Sequence, residues 1–325
     1  MTLLPSPIDP TLLAADIALA TAYNNEPSRG YLGMSSIGRP CSRELFYQFR
    51  NAKDRLDMDK FKTDETYRKN KTKMIKSAQD GHHAEDVQAK RLQAVDGITL
   101  ETVDSRTGKQ FEYMWFSSHM SGHADGFITG LKQSPATRHV WEHKSKEVKL
   151  YDAFIKCKEK HGEKDALQNW DETYYAQAQL YMHFSGCKRH YMTVSTAGGR
   201  ESTSCRTEYD GKYALTLLDK AERIIFKDNA PSRISDNPAW FQCKMCDFHD
   251  ICHKKQTPKM NCRTCLHSTP EKDGTWSCAI GEFKQDGCEK HLYLPDMLDG
   301  KIKDVDTRAV VYEDGRINYE GGLVE

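Results

Sequence analysis

The chain has 325 residues, 47 basic side chains against 47 acidic ones, 38% hydrophobic and 10% aromatic residues, and eleven cysteines. That aromatic content excludes a wholly disordered chain, and no apolar run approaches the ~20 residues of a membrane span. The length suggests a domain of about 200 residues plus a smaller unit, and the first twenty residues lack the basic start and cleavage site expected of a signal peptide, so we expect a reducing cytoplasm and cysteines that are metal ligands, catalysts or core residues rather than disulfides.

A first helix is expected over 10–24, capped by Asp9 or Thr11, with Leu12, Leu13, Ile17, Leu19 and Ala20 as its apolar stripe. A Gly-, Pro- and Ser-rich loop over 24–38 leads to a helix over 42–51. A long charged helix fits 64–94. Within it Arg68, Lys69, Lys71, Lys73 and Lys76 form a basic run, either a solvated face or a track for DNA phosphates. Extended runs follow over 98–103, 109–116, 123–129 and 139–144, then helices over 150–160 and 165–184, a strand over 189–195 and a helix over 211–227. In the acidic tail, alternating residues around Asp314-Gly315 signal a hairpin. This order predicts an α/β fold, a mixed central sheet flanked by helices, with a small metal-bound C-terminal module.

The chemistry lies in His123-Ala124-Asp125-Gly126 and in Val140-Trp141-Glu142-His143-Lys144. Side chains alternate along a strand, so Glu142 and Lys144 share a face, and Asp125 comes beside Glu142 if the two strands pair. Two carboxylates are a minimal platform for Mg²⁺ or Mn²⁺, whose waters become nucleophiles. A neighbouring lysine orients or deprotonates such a water and offsets charge on a phosphate. In a chain that is 29% charged, the same pattern also arises as a solvated salt-bridge ladder. The neighbours favour the first reading: His82 and Glu85 are three apart on one helix face, and Gln177 and Tyr181 are four apart on another.

This ordered set, Gly81 with Glu85, Asp125, Glu142 with Lys144, and Gln177 with Tyr181, resembles the PD-(D/E)XK nucleases of the RecB type over about residues 35–255. The resemblance implies a restriction-endonuclease-like core and metal-dependent hydrolysis of DNA, chiefly as an exonuclease, in recombination, repair or replication, in a phage-encoded protein. It implies that Asp125, Glu142 and the backbone carbonyl of His143 hold the metal, and that Glu85 contributes directly or through water. Lys144 would work on the water, and Gln177 and Tyr181 would position Lys144 and the DNA backbone. Ala124 stands where Pro is common, and Glu85 where some relatives have His; His82 and His83 remain alternative ligands. DNA is the expected partner, with a helicase or recombinase as a further one. The competing expectation is a catalytically silent DNA-binding or scaffold protein.

Seven cysteines crowd between Cys243 and Cys288. Cys243, Cys246 and Cys252 form a compact triplet that lacks one thiolate, which Cys41 can supply. This one-plus-three pattern resembles the [4Fe–4S] RecB-type nucleases, CRISPR-adaptation and AddB-like, in which the cluster clasps the two ends of the domain. Zinc held by the triplet with His249 or His253 is the alternative. Cys262, Cys265, Cys278 and Cys288 form a second quartet suited to tetrahedral Zn²⁺, with His267 or His291 as substitutes, and resemble an appended zinc ribbon. Cys157, Cys187 and Cys205 have no partner spacing. The expected units are an N-terminal helical extension (1–34), a nuclease domain (35–256), and a zinc-binding module with an acidic tail (257–325).

Overall fold

The computed structural model describes residues 9–227, 229–306, 309–320 and 322–324. Residues 1–8 of the expected N-terminal extension, and 228, 307, 308, 321 and 325 of the later units, lie outside the described residues. Helix α1 (Pro10–Asn25) begins where Asp9 accepts from the Thr11 and Leu12 backbone N–H groups at 2.8 and 3.1 Å, a cap worth about 1 kcal/mol. Part of its expected apolar stripe faces the core: Ala20 is buried and Ile17 and Leu19 pack beside it, whereas Leu12 is 65% exposed. The short strand β1 (Leu32–Gly33) lies inside the expected loop and within the expected extension. Helix α2 (Ser42–Phe49) buries Leu45, Phe46, Tyr47 and Phe49, and the chain turns away at Asn51 with φ 51°. Helices α3 (Met58–Thr63) and α4 (Glu65–Gln93) follow, the latter capped by Asp64. Ala20, Leu56, Phe61 and Ile75 pack α1, α3 and α4 together.

Next come β2 (Thr99–Glu101), β3 (Phe111–Trp115), β4 (Met120–Ala124), β5 (Gly126–Thr129) and β6 (His139–Lys146). The single strand expected over 123–129 is two strands, interrupted at Asp125. There the chain leaves one sheet and enters another: among the described residues β4 lies in the order β1-β4-β3, and β5 in the order β2-β5-β6-β7-β8. Strands β7 (Arg189–Thr196) and β8 (Ser202–Glu208) complete the second sheet. Strand β8, a Ser/Thr-rich edge, was not expected, because it carries little of the apolar alternation that marks a strand. The sheet is mixed, with β6 parallel to β7 and the other pairs antiparallel.

A parallel pair needs a crossover, here α5 (Val148–Trp170) and α6 (Glu172–Ser185). The break expected between residues 160 and 165 falls at Gly162, whose φ of 80° is non-helical. A second break, at Asp171, caps α6 through the Thr173 and Tyr174 N–H groups. Phe154 and Leu167 of α5 and Tyr175 and Ala178 of α6 pack on Met192, Val194 and Cys205, while Ala89 of α4 joins Ile128 and Trp141 on the opposite face. A fully buried side chain such as Phe154 or Trp141 contributes about 2 kcal/mol. Helix α7 (Gly211–Phe226) lies against α6 and α2, and the short helices α8 (Phe241–Lys244) and α9 (His249–His253) carry Cys243 and Cys252, with Cys246 between them.

The C-terminal segment forms the hairpin β9 (Ser268–Pro270) and β10 (Trp276–Cys278), then the antiparallel strands β11 (Ile302–Asp306), β12 (Ala309–Tyr312), β13 (Ile317–Tyr319) and β14 (Gly322–Val324). The Asp314-Gly315 turn joins β12 to β13 as expected, with Gly315 at φ 91°. This segment is bound to the N-terminal region by Lys259 N to Ala52 O (2.7 Å), Asn261 Nδ2 to Asn51 O (3.0 Å) and Arg263 Nη1 to Gly30 O (2.9 Å).

Candidate active site

The site is built where β5 and β6 pair. Gly126 opposes Trp141, and the preceding residue, Asp125, accepts from the His143 backbone N–H at 2.9 Å through Oδ2. That bond fixes Asp125 beside the strand that carries Glu142. Glu142 is 3% exposed. Its Oε1 accepts from Gln177 Nε2 at 2.9 Å and from Lys144 Nζ, while its Oε2 is buried with no hydrogen-bond partner. Gln177 also donates to the Tyr181 hydroxyl at 3.3 Å. Tyr181 is 1% exposed, so these two α6 residues support Glu142 from within the core, and the amide acts on Lys144 through that carboxylate. The close packing depends on Gly122: a Cβ there would lie 2.7 Å from Met34 Cβ and 2.9 Å from a Tyr181 ring carbon.

Glu85 comes to the same place from α4. Burial, followed by the negative charge of Asp125, raises its pKa. Burial and Asp125 likewise raise Glu142. Burial raises Asp125, against the opposing effects of Lys144, the His143 N–H and His82. Three carboxylates therefore share a low-dielectric cleft in which the charge of Asp125 disfavours ionisation of Glu85 and Glu142. Burial works against the Lys144 ammonium, but Glu142 and Asp125 override it and its pKa is raised. His82 and His83 are both exposed, and of the two only His82 acts on Asp125. Among the described residues no three His, Cys, Asp or Glu side chains form a ready metal shell.

On the opposite sheet face the His143 ring bridges Thr193 Oγ1 (3.0 Å) and Ser195 Oγ (3.2 Å). Burial pushes its pKa down to about 4, so the imidazole is neutral. Thr193 Oγ1 in turn donates to the Glu142 carbonyl at 3.3 Å. The sequence reading did not single out Thr193 or Ser195; alternation along β7 opposite His143 is the signal that would have found them.

The basic run of α4 is engaged within the chain. Arg68 is buried against the Phe61 and Lys62 carbonyls, while Lys69, Lys71, Lys73 and Lys76 pair with Glu65, Asp247, Glu147 and Asp16.

The one-plus-three cysteines come together. Cys41, Cys243, Cys246 and Cys252 line one cavity of ≈ 390 Å³ with Arg43, Tyr47, Arg233, His249 and His253. Burial raises the Cys243, Cys246 and Cys252 thiols, Cys246 to about 12, and Cys41 adds to the rise of each. The Phe248 N–H donates to Cys246 Sγ at 3.4 Å. Both ring nitrogens of His249 are engaged, by Asp250 (2.9 Å) and by the Pro238 carbonyl (3.2 Å).

The second quartet is also clustered. Burial raises Cys262 and Cys265; the charges of Cys288 and Cys278 add to the first, and those of Cys262 and Cys278 to the second. Backbone N–H groups point at the sulfurs, Lys284 N lying 3.2 Å from Cys262 Sγ. His291 is buried with Nε2 3.1 Å from Thr264 Oγ1. Of the remaining cysteines, Cys187 and Cys205 are buried, and Cys157 Sγ contacts the Ala166 carbonyl.

No family model and no curated protein matches the chain. Among solved structures it is similar to SSO0001, with 16% identity over 76% of this chain and 96% of that one, at a TM-score of 0.41. It is similar to an alkaline exonuclease (LHK-Exo) from Laribacter hongkongensis, with 14% identity over 61% and 87%, at 0.38. A phage related exonuclease from Haemophilus somnus 129PT aligns at 13% identity over 46% and 69%, at 0.32. No helix of the described residues is long and apolar enough to cross a membrane.

Proposed function

We propose that the protein is a metal-dependent nuclease that hydrolyses phosphodiester bonds in DNA. The observation that carries this reading is the buried, unpartnered Oε2 of Glu142 within a cleft shared by Glu85, Asp125 and Lys144. A buried carboxylate oxygen without a partner is costly unless a cation satisfies it. Glu85, Asp125 and Glu142 are all oxygen donors, the set that Mg²⁺ or Mn²⁺ prefers, and they would hold it. When bound, such an ion supplies a Lewis acid and an acidified water. Lys144, kept as an ammonium by Glu142 and Asp125, orients the attacking water and offsets charge gathering on the phosphate. The His143 N–H holds Asp125 in place, and Gln177 does the same for Glu142.

The cysteine sites have structural roles in this reading. Four thiols facing one cavity suit a [4Fe–4S] cluster held by Cys41, Cys243, Cys246 and Cys252. The engagement of both His249 nitrogens supports Cys41 as the fourth ligand in place of that histidine. Such a group ties α2 to α8 and α9 across about 200 residues of chain, which restrains the unfolded state. Cys262, Cys265, Cys278 and Cys288 would hold Zn²⁺ as the staple of the C-terminal segment.

The test is cleavage of linear single- and double-stranded DNA in Mg²⁺ and Mn²⁺ by the wild type and by Lys144→Ala. The variant is expected to lose at least about 100-fold in rate. A wild type that cuts nothing with either ion, or a Lys144→Ala that cuts as fast, sinks the reading. Iron and zinc analysis of anaerobically purified protein, with the visible absorption of Cys41→Ser, tests the cluster. Protein carrying zinc alone would overturn it.

A further inference from the structure

Alternation along β6 puts Glu142, Lys144 and Lys146 on one face, and the nuclease reading uses only the first two. Tyr174, in the first turn of α6, stands over the end of this stripe. Its hydroxyl is hydrogen-bonded to Lys146 Nζ, and its ring centroid lies 4.5 Å from that ammonium and 5.2 Å from Lys144 Nζ. Two ammonium groups therefore flank one phenol. Trp170 completes the corner, with its centroid 5.8 Å from both Lys146 Nζ and the Tyr174 ring.

The two lysines differ in their counter-charge. Lys144 is paired with Glu142. Lys146 makes no ion pair among the described residues, in contrast to Lys69, Lys71, Lys73 and Lys76 of α4, each of which has a carboxylate. Aromatic faces hold a cation with about 0.5–2 kcal/mol and leave its charge unneutralised. Lys146 is thus an aromatic-braced ammonium beside a proposed phosphate-cutting centre, with the Tyr174 hydroxyl as a second donor.

We propose that Lys146 and Tyr174 bind the phosphodiester adjacent to the one that is cut, with Trp170 offering a face to the sugar or base attached to it. This rests on the nuclease reading and extends it to a neighbouring position on the same strand. Alternate residues of a strand are about 6.6 Å apart, so Lys144 and Lys146 are spaced to serve successive phosphates of an extended single strand. Stacking on an aromatic face does not depend on base identity, so the half-buried Trp170 would grip any sequence.

The experiment measures binding of a fluorescent single-stranded oligonucleotide across a salt series in Ca²⁺, alongside cleavage kinetics in Mg²⁺. Lys146→Ala is expected to weaken binding about tenfold and to reduce the slope of log affinity against log salt by about 0.7, the signature of one lost phosphate contact. Most of its loss in kcat/KM should fall on KM. Lys146→Arg should restore the slope, and Tyr174→Phe should weaken binding by a smaller factor. Lys69→Ala, whose ammonium is paired with Glu65, serves as the control. A wild type that cleaves while Lys146→Ala keeps its affinity and salt slope overturns the phosphate site and leaves the nuclease reading intact. A wild type that never cleaves overturns the nuclease reading, and the position of the site relative to a cut falls with it.

Discussion

Gln177 Nε2 lies 2.9 Å from Glu142 Oε1 and 3.3 Å from the Tyr181 hydroxyl, so a neutral amide from α6 supports the most deeply buried carboxylate of the cleft. Because the amide is uncharged, it fixes the orientation of Glu142 without cancelling the charge that a metal would meet. Groups that orient metal ligands in this way are typically worth about 10–100-fold in affinity or activity. Gln177→Ala is therefore expected to lower kcat by about that factor while leaving the fold intact, as read by Mg²⁺-dependent cleavage and circular dichroism. Full activity in the variant would show that Glu142 orients itself.

The crowding of Glu85, Asp125 and Glu142 predicts stabilisation by divalent cations. Burial raises all three carboxyls, with mutual repulsion adding to Glu85 and Glu142, and a bound cation offsets both effects. At about 100 times its Kd a native-state ligand adds about 2.7 kcal/mol, so Mn²⁺ should raise Tm. The gain should grow with pH, because protons compete for the same oxygens. Asp125→Asn should be more stable than the wild type without metal and should lose most of the Mn²⁺-induced shift, as measured by thermal denaturation.

His190 sets an acid limit on stability. Burial pushes its pKa down to about 3, against an unfolded value of about 6.5. Between those values the unfolded chain binds the proton and the native chain does not, so this contribution to stability is lost as pH falls from about 6.5 towards about 3. The slope approaches 1.4 kcal/mol per pH unit for a single group. His190→Phe should flatten the acid limb of a urea-denaturation series by about that amount. An unchanged limb would mean that His190 is already charged in the native state.

Trp276 joins the C-terminal segment to the rest of the fold. Its ring stacks on Phe49 at 5.5 Å and meets His119 edge-on at 5.8 Å, with the Arg263 guanidinium 5.0 Å from its centroid. Trp276→Ala is expected to cost about 2–3 kcal/mol through lost burial and ring contacts, measured from urea midpoints. It should also expose the chain near residue 257 to limited proteolysis. A variant as stable and protease-resistant as the wild type would show that the two parts are held together elsewhere.

Spacing and alternation made much of the candidate site legible. Period two placed Glu142 with Lys144, and period 3.6 placed Gln177 with Tyr181, because both relations are local and survive any packing of the elements. The interruption at Asp125 was not legible: whether one extended run is one strand or two depends on which neighbouring strand each half bonds to. Lys146 was overlooked although the same alternation reaches it, since its meaning comes from Tyr174, which only the docking of α6 brings near. The basic run of α4 read as open to DNA phosphates because its partners, Asp16, Glu147 and Asp247, lie on other segments.

By itself the sequence determined the kinds of donor and their local order: carboxylates and a lysine on extended segments, an amide and a phenol one helical turn apart, and thiols in a triplet and a quartet. Tertiary structure decided which of them meet. It brought Cys41 to the triplet and, among the described residues, left Glu142 Oε2 without a partner and Lys146 without an acid. The physical reason is one of range: side-chain direction follows from the backbone period within an element, whereas burial, charge pairing and unmet hydrogen bonds arise only when distant elements pack.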